Sequence, residues 1–535
     1  MKTSVSIGIV FALGVIFWYS IVYFLSEDIF IEQSPELEKA QEDEPFFAGT
    51  ISAPDYKGGV DGGGLLNSGT VTSPQPAGTT GGRSLLVSDG YLYVAYNASS
   101  TACSSTASNG NGCELKVFDI SSGASPTYVG GGDASGSTNS GTASSAFFGL
   151  AKVGDYLFVA KAGSATACSN TPGSAIGCEF QVWDVSTPST PTYVAGGDAT
   201  GNVGSGTGNL AASSIAASGT VAVMTMSGSA TACAGTAGAM RCEVMVWDIT
   251  TPTAPTYASG GDASGSSESG TTNLTARDVF ILGNRAYTVW NLSGTACSSS
   301  AGSAVGCELK VWDISTPTAI SYSGGGDRSG ATNASTTNTS NLTRVFGHGN
   351  YVYTSGGAGA GANGCTGTAG FAAGCELMVW DVSTPGTPTY VAGGDAGGQI
   401  NTEAGNVDAY GLATTSVSGS TYLAQTFAGS GTSCGNAVGT KRCELYLWDI
   451  STPTAPTFVV GMDASGQTTA GTGNQTMASV AFSSTHIYTG DGAGSNAACS
   501  STVGSGIGCE LKVWEIVASA VSTVIEEAQE MLLFF

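Results

Sequence analysis

An all-β fold, a seven-bladed propeller of four-stranded antiparallel blades, is what this sequence predicts. Three observations predict it: seven evenly spaced cysteine pairs, one phrase repeated after each pair, and a stray copy of that phrase's sequel near the N-terminus. The first cysteines of successive pairs lie 65, 65, 64, 68, 69 and 65 residues apart. A fixed period of this kind marks a repeat architecture. The second cysteine opens the same words each time: CELKVFDI at 113, CEFQVWDV at 178, CEVMVWDI at 242, CELKVWDI at 307, CELMVWDV at 375, CELYLWDI at 443 and CELKVWEI at 509.

Each repeat reads as four short strands. In the first, Ser84–Val87 and Tyr91–Tyr96 precede the cysteine loop, and Glu114–Ile120 and Thr127–Gly130 follow it. Four strands in such a unit, seven times over, match propeller blades. The apolar runs lack the 3.6-residue period of helical repeats. The seventh repeat stops after its third strand, Cys509–Ile516, without the usual PTYVAGGDA sequel. That piece appears at about residues 53–62 as APDYKGGVDG, matching the pattern with one extra residue before the Asp. The sequence therefore predicts that this segment closes the ring as the outer strand of blade 7, leaving no half-built edge.

The spacing predicts seven local disulfides. Cys103 pairs with Cys113, Cys168 with Cys178, Cys233 with Cys242, and Cys297 with Cys307. Cys365 pairs with Cys375, Cys434 with Cys443, and Cys499 with Cys509. Eight or nine residues separate partners, too many for a zinc knuckle. Disulfides in turn imply an oxidising compartment. Ser4–Leu25 is an uncharged run of 22 residues, long enough to span a bilayer. Lys2 before it and acids after it favour an inside N-terminus. Residues 1–25 thus read as a transmembrane anchor (or a cleaved signal), 26–46 as an acidic stalk, 47–516 as the propeller and 517–535 as an amphipathic helical tail. Both chain ends leave on the face of the short turns, so the cysteine-loop face is expected to point away from the membrane.

Phrases such as CELKVWDISTPTA and FQVWDVSTPSTPTYVAG, preceded by YLYVA or YLFVA, resemble the LVIVD-repeat family of envelope and secreted propellers. The likeness covers roughly Ser84 to Ile516, and the added cysteine loops depart from it. It implies the fold and an extracytoplasmic location, and it supplies no catalytic residues.

Net charge is −24 at pH 7, which disfavours nucleic acid as a partner. His348 and His486 are the only histidines; both fall near short turns, which disfavours a His-based triad or a His-rich metal site on the loop face. Pairing of every cysteine leaves no thiol nucleophile and no P-loop or dinucleotide motif appears, so no enzyme is expected, although the many acids leave a carboxylate-pair glycosidase open. Three sets of acids recur. Asp119, Asp184, Asp248, Asp313, Asp381, Asp449 and the variant Glu515 end the third strands and read as turn stabilisers. Glu114, Glu179, Glu243, Glu308, Glu376, Glu444 and Glu510 begin them and suggest a shared local contact, with the loop backbone as one candidate. Asp61, Asp133, Asp198, Asp262, Asp327, Asp395 and Asp463 sit in the Gly-Asp connections. Each can form an Asx turn or donate to calcium, which wants six to eight hard oxygens. The aromatic at 118, 183, 247, 312, 380, 448 and 514 reads as inter-blade core. The function this reading favours is a membrane-anchored surface recognition or adhesion module for an extracellular protein or glycan. The alternatives are a structural envelope component that self-associates laterally and, further off, a carbohydrate-active enzyme.

Overall fold

The computed structural model describes Ile51 to Val517, except residue 52, residues 69–84, and parts of the loops at 63–67, 98–109, 236–241, 292–294, 334–340, 358–373, 401–406, 430–442, 469–474 and 492–497. The anchor, the stalk and the tail beyond Val517 lie outside the described residues. Among those described, no helix is long and apolar enough to cross a membrane.

Seven four-stranded antiparallel sheets succeed one another along the chain. Blade 1 consists of Leu85–Ser88, Tyr91–Ala95, Leu115–Asp119 and Thr127–Gly132. Blades 2 to 6 begin their first strands at Phe147, Ala212, Ala276, Leu342 and Ala409. Blade 7 takes three strands from Met477–Phe482, His486–Asp491 and Leu511–Glu515. Its fourth is Asp55–Val60, paired antiparallel to Leu511–Glu515 with Tyr56 opposite Trp514 and Val60 opposite Leu511. The ring is closed by the upstream segment, as its wording predicts. One detail of that wording is corrected. Tyr56 to Asp61 has the same spacing as Tyr128 to Asp133 or Tyr193 to Asp198, with no extra residue. Val60 stands in the place of the second glycine of the pair.

That glycine pair sets how closely everything packs. A Cβ on the first glycine (Gly59, Gly131, Gly196, Gly260, Gly325, Gly393 or Gly461) would fall 2.7–3.0 Å from the Cβ of the same blade's second cysteine. A Cβ on the second would fall 2.8 Å or less from the indole of the next blade's tryptophan, as Gly132 does against Trp183 and Gly197 against Trp247. The first glycine therefore admits the disulfide and the second admits the neighbouring blade. The tryptophans at 183, 247, 312, 380, 448 and 514 are fully buried, and each belongs to an inter-blade apolar cluster, as expected. The last seam offsets its missing glycine. Val60 of the closing strand meets Phe118 rather than a tryptophan, in one cluster with Tyr128. Where Met462 replaces the glycine, its unbranched chain lies in the same cluster as Trp514.

This seam chemistry yields a double-mutant test. Gly132→Ala should cost about 1–3 kcal/mol by overpacking against Trp183. Combined with Trp183→Phe, the loss should be smaller than the sum of the two single losses by about 1 kcal/mol, because the pair then approaches the native Val60/Phe118 arrangement. Equilibrium denaturation of the four proteins checks it; strict additivity would mean that the indole is not what excludes the methyl group.

Candidate functional site

All seven disulfides are formed as the spacing predicts, with Cα–Cα distances of 4.4–4.5 Å. Cys103 is bonded to Cys113, Cys168 to Cys178, Cys233 to Cys242 and Cys297 to Cys307. Cys365 is bonded to Cys375, Cys434 to Cys443 and Cys499 to Cys509. Each closes a loop on the face where second strands pass to third strands. The loops are braced from below by the tyrosine of the fourth strand. Tyr56, Tyr128, Tyr193, Tyr322 and Tyr390 donate their hydroxyls to the carbonyls of Ser500, Ser104, Ser169, Ser298 and Thr366 at 2.7–2.8 Å. Blade 6 has Phe458 at this position, so its loop lacks that bond.

The three acid sets have separate roles. The third-strand aspartates cap the following turn: Asp119 accepts from Ser121 N, Asp248 from Thr250 N and Asp449 from Ser451 N, each at 2.8 Å. Glu515 departs from this and pairs with Lys57 at 2.6 Å. The recurrent glutamates are buried and reach the backbone in two directions. Oε2 of Glu114, Glu179, Glu308, Glu376 and Glu444 accepts from the amide just after the Gly-Asp aspartate (Ala134, Ala199, Arg328, Ala396, Ala464). Oε1 of Glu179 and Glu243 accepts from Ser164 N and Ser229 N at the root of the cysteine loop. Glu510 occupies the same position in blade 7 and is also buried.

The aspartates Asp61, Asp133, Asp198, Asp262, Asp327, Asp395 and Asp463 are all buried, one in each blade's connection. Their bonds go to their own loops. Asp133 accepts from Ser135 N and Ala143 N, Asp262 from Ser264 N and Thr272 N, and Asp198 from Thr200 N, Asn202 N and Gly208 N. Asp327, Asp463 and Asp395 accept from Ser329 N, Ser465 N and Gly397 N, and Asp61 from Leu65 N. These are Asx turns, and the glycine three residues on supplies the positive φ that the turn needs, +88° at Gly136. Among the described residues no three His, Cys, Asp or Glu side chains gather as a metal site would require.

Nothing in the repeated wording marks the buried cations at the blade seams. Lys116, Lys161, Lys310, Arg328 and Lys512 are fully buried. Lys310 lies near Glu308 of its own blade and near Asp262 and Glu243 of blade 3. Lys512 is ion-paired to the buried Asp491 of its own blade and lies near Glu444 and Asp463 of blade 6, and Lys116 lies near Glu510 and Asp61 of the closing blade. Neutral groups bridge seams as well: Gln181 Nε2 donates to Ala134 O at 2.8 Å, and Tyr446 OH donates to Ala396 O. Burial holds Glu243 and Glu376 up to about 8 and Glu510 up to about 7. It pushes Lys512 down to about 7. Titratable groups that are costly to ionise when buried thus meet at the seams.

The axis carries a second candidate site. The seven first strands line a central cavity of about 410 Å³. Each first strand follows a Gly-Asp connection, so it starts on the loop face and runs toward the short turns. Near that start the ladders of blades 2 to 7 shift register, for example between Ala276 and Asp278 and between Leu342 and Arg344. Such bulges re-aim side chains. Ser214, Asp278, Arg344 and Ser479 form a polar belt there, and Phe280, Phe346, Phe482 and aliphatic side chains line the wall below. Seven-fold similarity ends at this belt, where among the described residues blade 4 places an acid, Asp278, and blade 5 an arginine, Arg344.

The buried glutamates give stability a pH dependence with a definite sign. Between about pH 4.5 and 8 folded Glu243 keeps a proton that the unfolded chain has released. Stability is therefore full below that window and falls as pH rises through it, by up to about 1.4 kcal/mol per pH unit for one such group. Glu243→Gln keeps an acceptor for Ser229 N and removes the titration. Denaturation at pH 5 and pH 8 should show a flatter profile for the variant; an unchanged slope would mean that Glu243 ionises normally.

No family model matches the chain, and no curated protein matches it. Among solved structures it is similar to the computationally designed Ika8 protein, at 13% identity over 83% of this chain and 98% of that one, with a TM-score of 0.37. It is also similar to the hydrazine synthase of Kuenenia stuttgartiensis, at 13% identity over 80% and 96% with a TM-score of 0.41. The periplasmic gluconolactonase PpgL of Pseudomonas aeruginosa matches at 11% identity over 76% and 96%, again with a TM-score of 0.41. With TM-scores of 0.37 and 0.41, these likenesses say nothing further of this chain's fold, site or activity.

Proposed function

We propose that the chain is a non-catalytic recognition module, held at the outer side of a membrane by its N-terminal apolar segment, with the cysteine-loop face toward its ligand. One observation carries this reading: the brace under the loops recurs blade after blade while the loop surfaces stay open. Disulfide, tyrosine, glutamate and aspartate all point inward, and the exposed positions are mostly Ser, Thr, Ala and Gly. The two large apolar side chains most exposed among the described residues, Phe371 and Val503, both lie on cysteine loops. Loops tied at their roots by a disulfide have less entropy to lose on binding, and several weak contacts on one ring add through avidity. The resemblance to LVIVD-repeat propellers and the seven disulfides support an extracytoplasmic location.

The test is a binding screen of the full-length protein against arrays of glycans and extracellular proteins, with calcium and with a chelator. Binding that survives chelation and is lost on reduction of the disulfides is the expected result. Binding seen only with calcium would overturn the purely structural role of the Gly-Asp aspartates. Failure to bind either array, together with elution as a large homo-oligomer, would replace recognition by a structural envelope role.

A further inference from the structure

We infer that the loop-face mouth of the central channel is a binding site for a small organic carboxylate with an apolar body, held by Arg344. Positive charge is scarce in this chain. Against a net charge of −24, nearly every Lys and Arg among the described residues is already committed. Lys57, Lys152 and Arg285 are ion-paired to Glu515, Asp89 and Asp313 beside the short turns. Lys116, Lys161, Lys310, Arg328 and Lys512 are buried at the seams. Arg277 and Arg344 remain, and neither makes an ion pair among the described residues. Both stand at the same end of the channel, close enough that Arg344 disfavours the charge on Arg277.

Two guanidinium groups this close disfavour each other's charge, so an anion bound beside them is favoured by both. The local acids only partly offset them. Asp408 is exposed and lies near Arg277. Asp278 is engaged elsewhere: it accepts from Ser214 Oγ at 2.5 Å and from Val345 N at 3.0 Å. Burial raises its pKa, and Arg344 works against that rise. Arg277 gives its Nε–H to Asn291. Among the described residues Arg344 has only Thr343 O within hydrogen-bond range, from Nη1 at 3.2 Å, so most of its guanidinium donors are uncommitted. A planar fork of free donors matches a carboxylate in two-point contact.

The same two strands supply a place for the rest of the ligand. Side chains two residues apart on a strand point the same way, so Phe346 lies below Arg344 and Phe280 below Asp278. Their ring centroids lie 4.8 Å apart, tilted by 40°, and both side chains are partly buried where they line the channel. Gly347 makes this pairing possible, since a Cβ there would lie 2.5 Å from Phe280. Charge above and an aromatic wall below, in a cavity of about 410 Å³, describe a pocket for an anionic head on an apolar body. Such a ligand is independent of whatever the cysteine loops bind.

Calorimetric titration of the full-length protein with phenylacetate and hexanoate, and with phenylacetamide and hexanamide as neutral matches, tests it. The carboxylates should bind at least about tenfold more tightly than the amides, weaken with added salt, and lose about tenfold or more in Arg344→Gln with partial recovery in Arg344→Lys. The comparison of carboxylate with amide needs only the wild-type chain, so it decides the matter even where the variants fold poorly. Equal affinity for the amides, no carboxylate binding below about 10 mM, or unchanged binding in a folded Arg344→Gln protein would overturn the proposal. Loss of array binding by the loops with carboxylate binding intact would sink the recognition reading alone.

Discussion

The distance between one blade and the next is set by two hydrogen atoms. At each Gly-Gly step the backbone runs between a disulfide of its own blade and the indole of the following one, and a methyl group on either residue meets a rigid neighbour. Protein interiors are packed closely enough that such a gap cannot simply widen. The disulfide, the tryptophan and the glycine pair are therefore one device. The disulfide needs the first glycine, five of the six tryptophans meet the second (Met462 faces Trp514 instead), and the aspartate that follows turns the chain toward the next first strand. Because the tryptophan always belongs to the following blade, the device works only in a series, and the series must close. Closure falls on Asp55–Val60, where a valine takes the glycine's place and Phe118 gives up the space.

A second constraint is electrostatic. Seven buried glutamates and seven buried aspartates lie at the loop ends of the blades. Such groups are tolerable only when protonated or matched, and both solutions are used. Backbone amides meet one oxygen of most of the glutamates. At five of the seven seams a buried cation stands between the acids of adjacent blades, and Met245 and Tyr446 replace it at the other two. The seams are thus specified by charge as well as by shape. Every blade offers the same glutamate and aspartate, so what differs from seam to seam is the group set against them, Lys310 at one and Met245 at another.

Much of this was legible in the sequence because it repeats. Seven near-copies of CELKVWDI mark the third strand. The cysteine pairs, from Cys103 with Cys113 to Cys499 with Cys509, mark the loops. The orphan APDYKGGVDG discloses closure, although matching its Gly58-Gly59 to the repeated pair sets the alignment one residue out. The true match runs from Tyr56, with Val60 under the second glycine. The roles of the acids were partly visible: recurrence points to a shared local contact for the glutamates, but not to the amide that follows the aspartate of the fourth strand. Lys116, Lys310 and Lys512 were hidden because period-2 alternation marks them only as one face of a strand. Whether that face meets water or the next blade depends on the ring being closed. The channel was hidden for the opposite reason. Its residues do not repeat, and a reading built on self-similarity passes over them.

Specificity for a small ligand needs what repetition does not provide. A ring of identical blades has a seven-fold axis, and any group placed on every blade appears seven times around it. Such a set can provide stability, rigidity and avidity, but it cannot hold one small molecule in one orientation. Orientation requires that the blades differ at the axis. Here they differ where the first strands bulge at the loop face: Ser214, Asp278, Arg344, Gly411 and Ser479 occupy the same place on successive strands. The repeated positions of the outer strands are spent on the glycine, tryptophan and disulfide device and have little freedom left. The first strands, whose inner side lines the channel, keep more of that freedom. Construction and discrimination are separated radially, with the uniform chemistry at the seams and the singular chemistry on the axis.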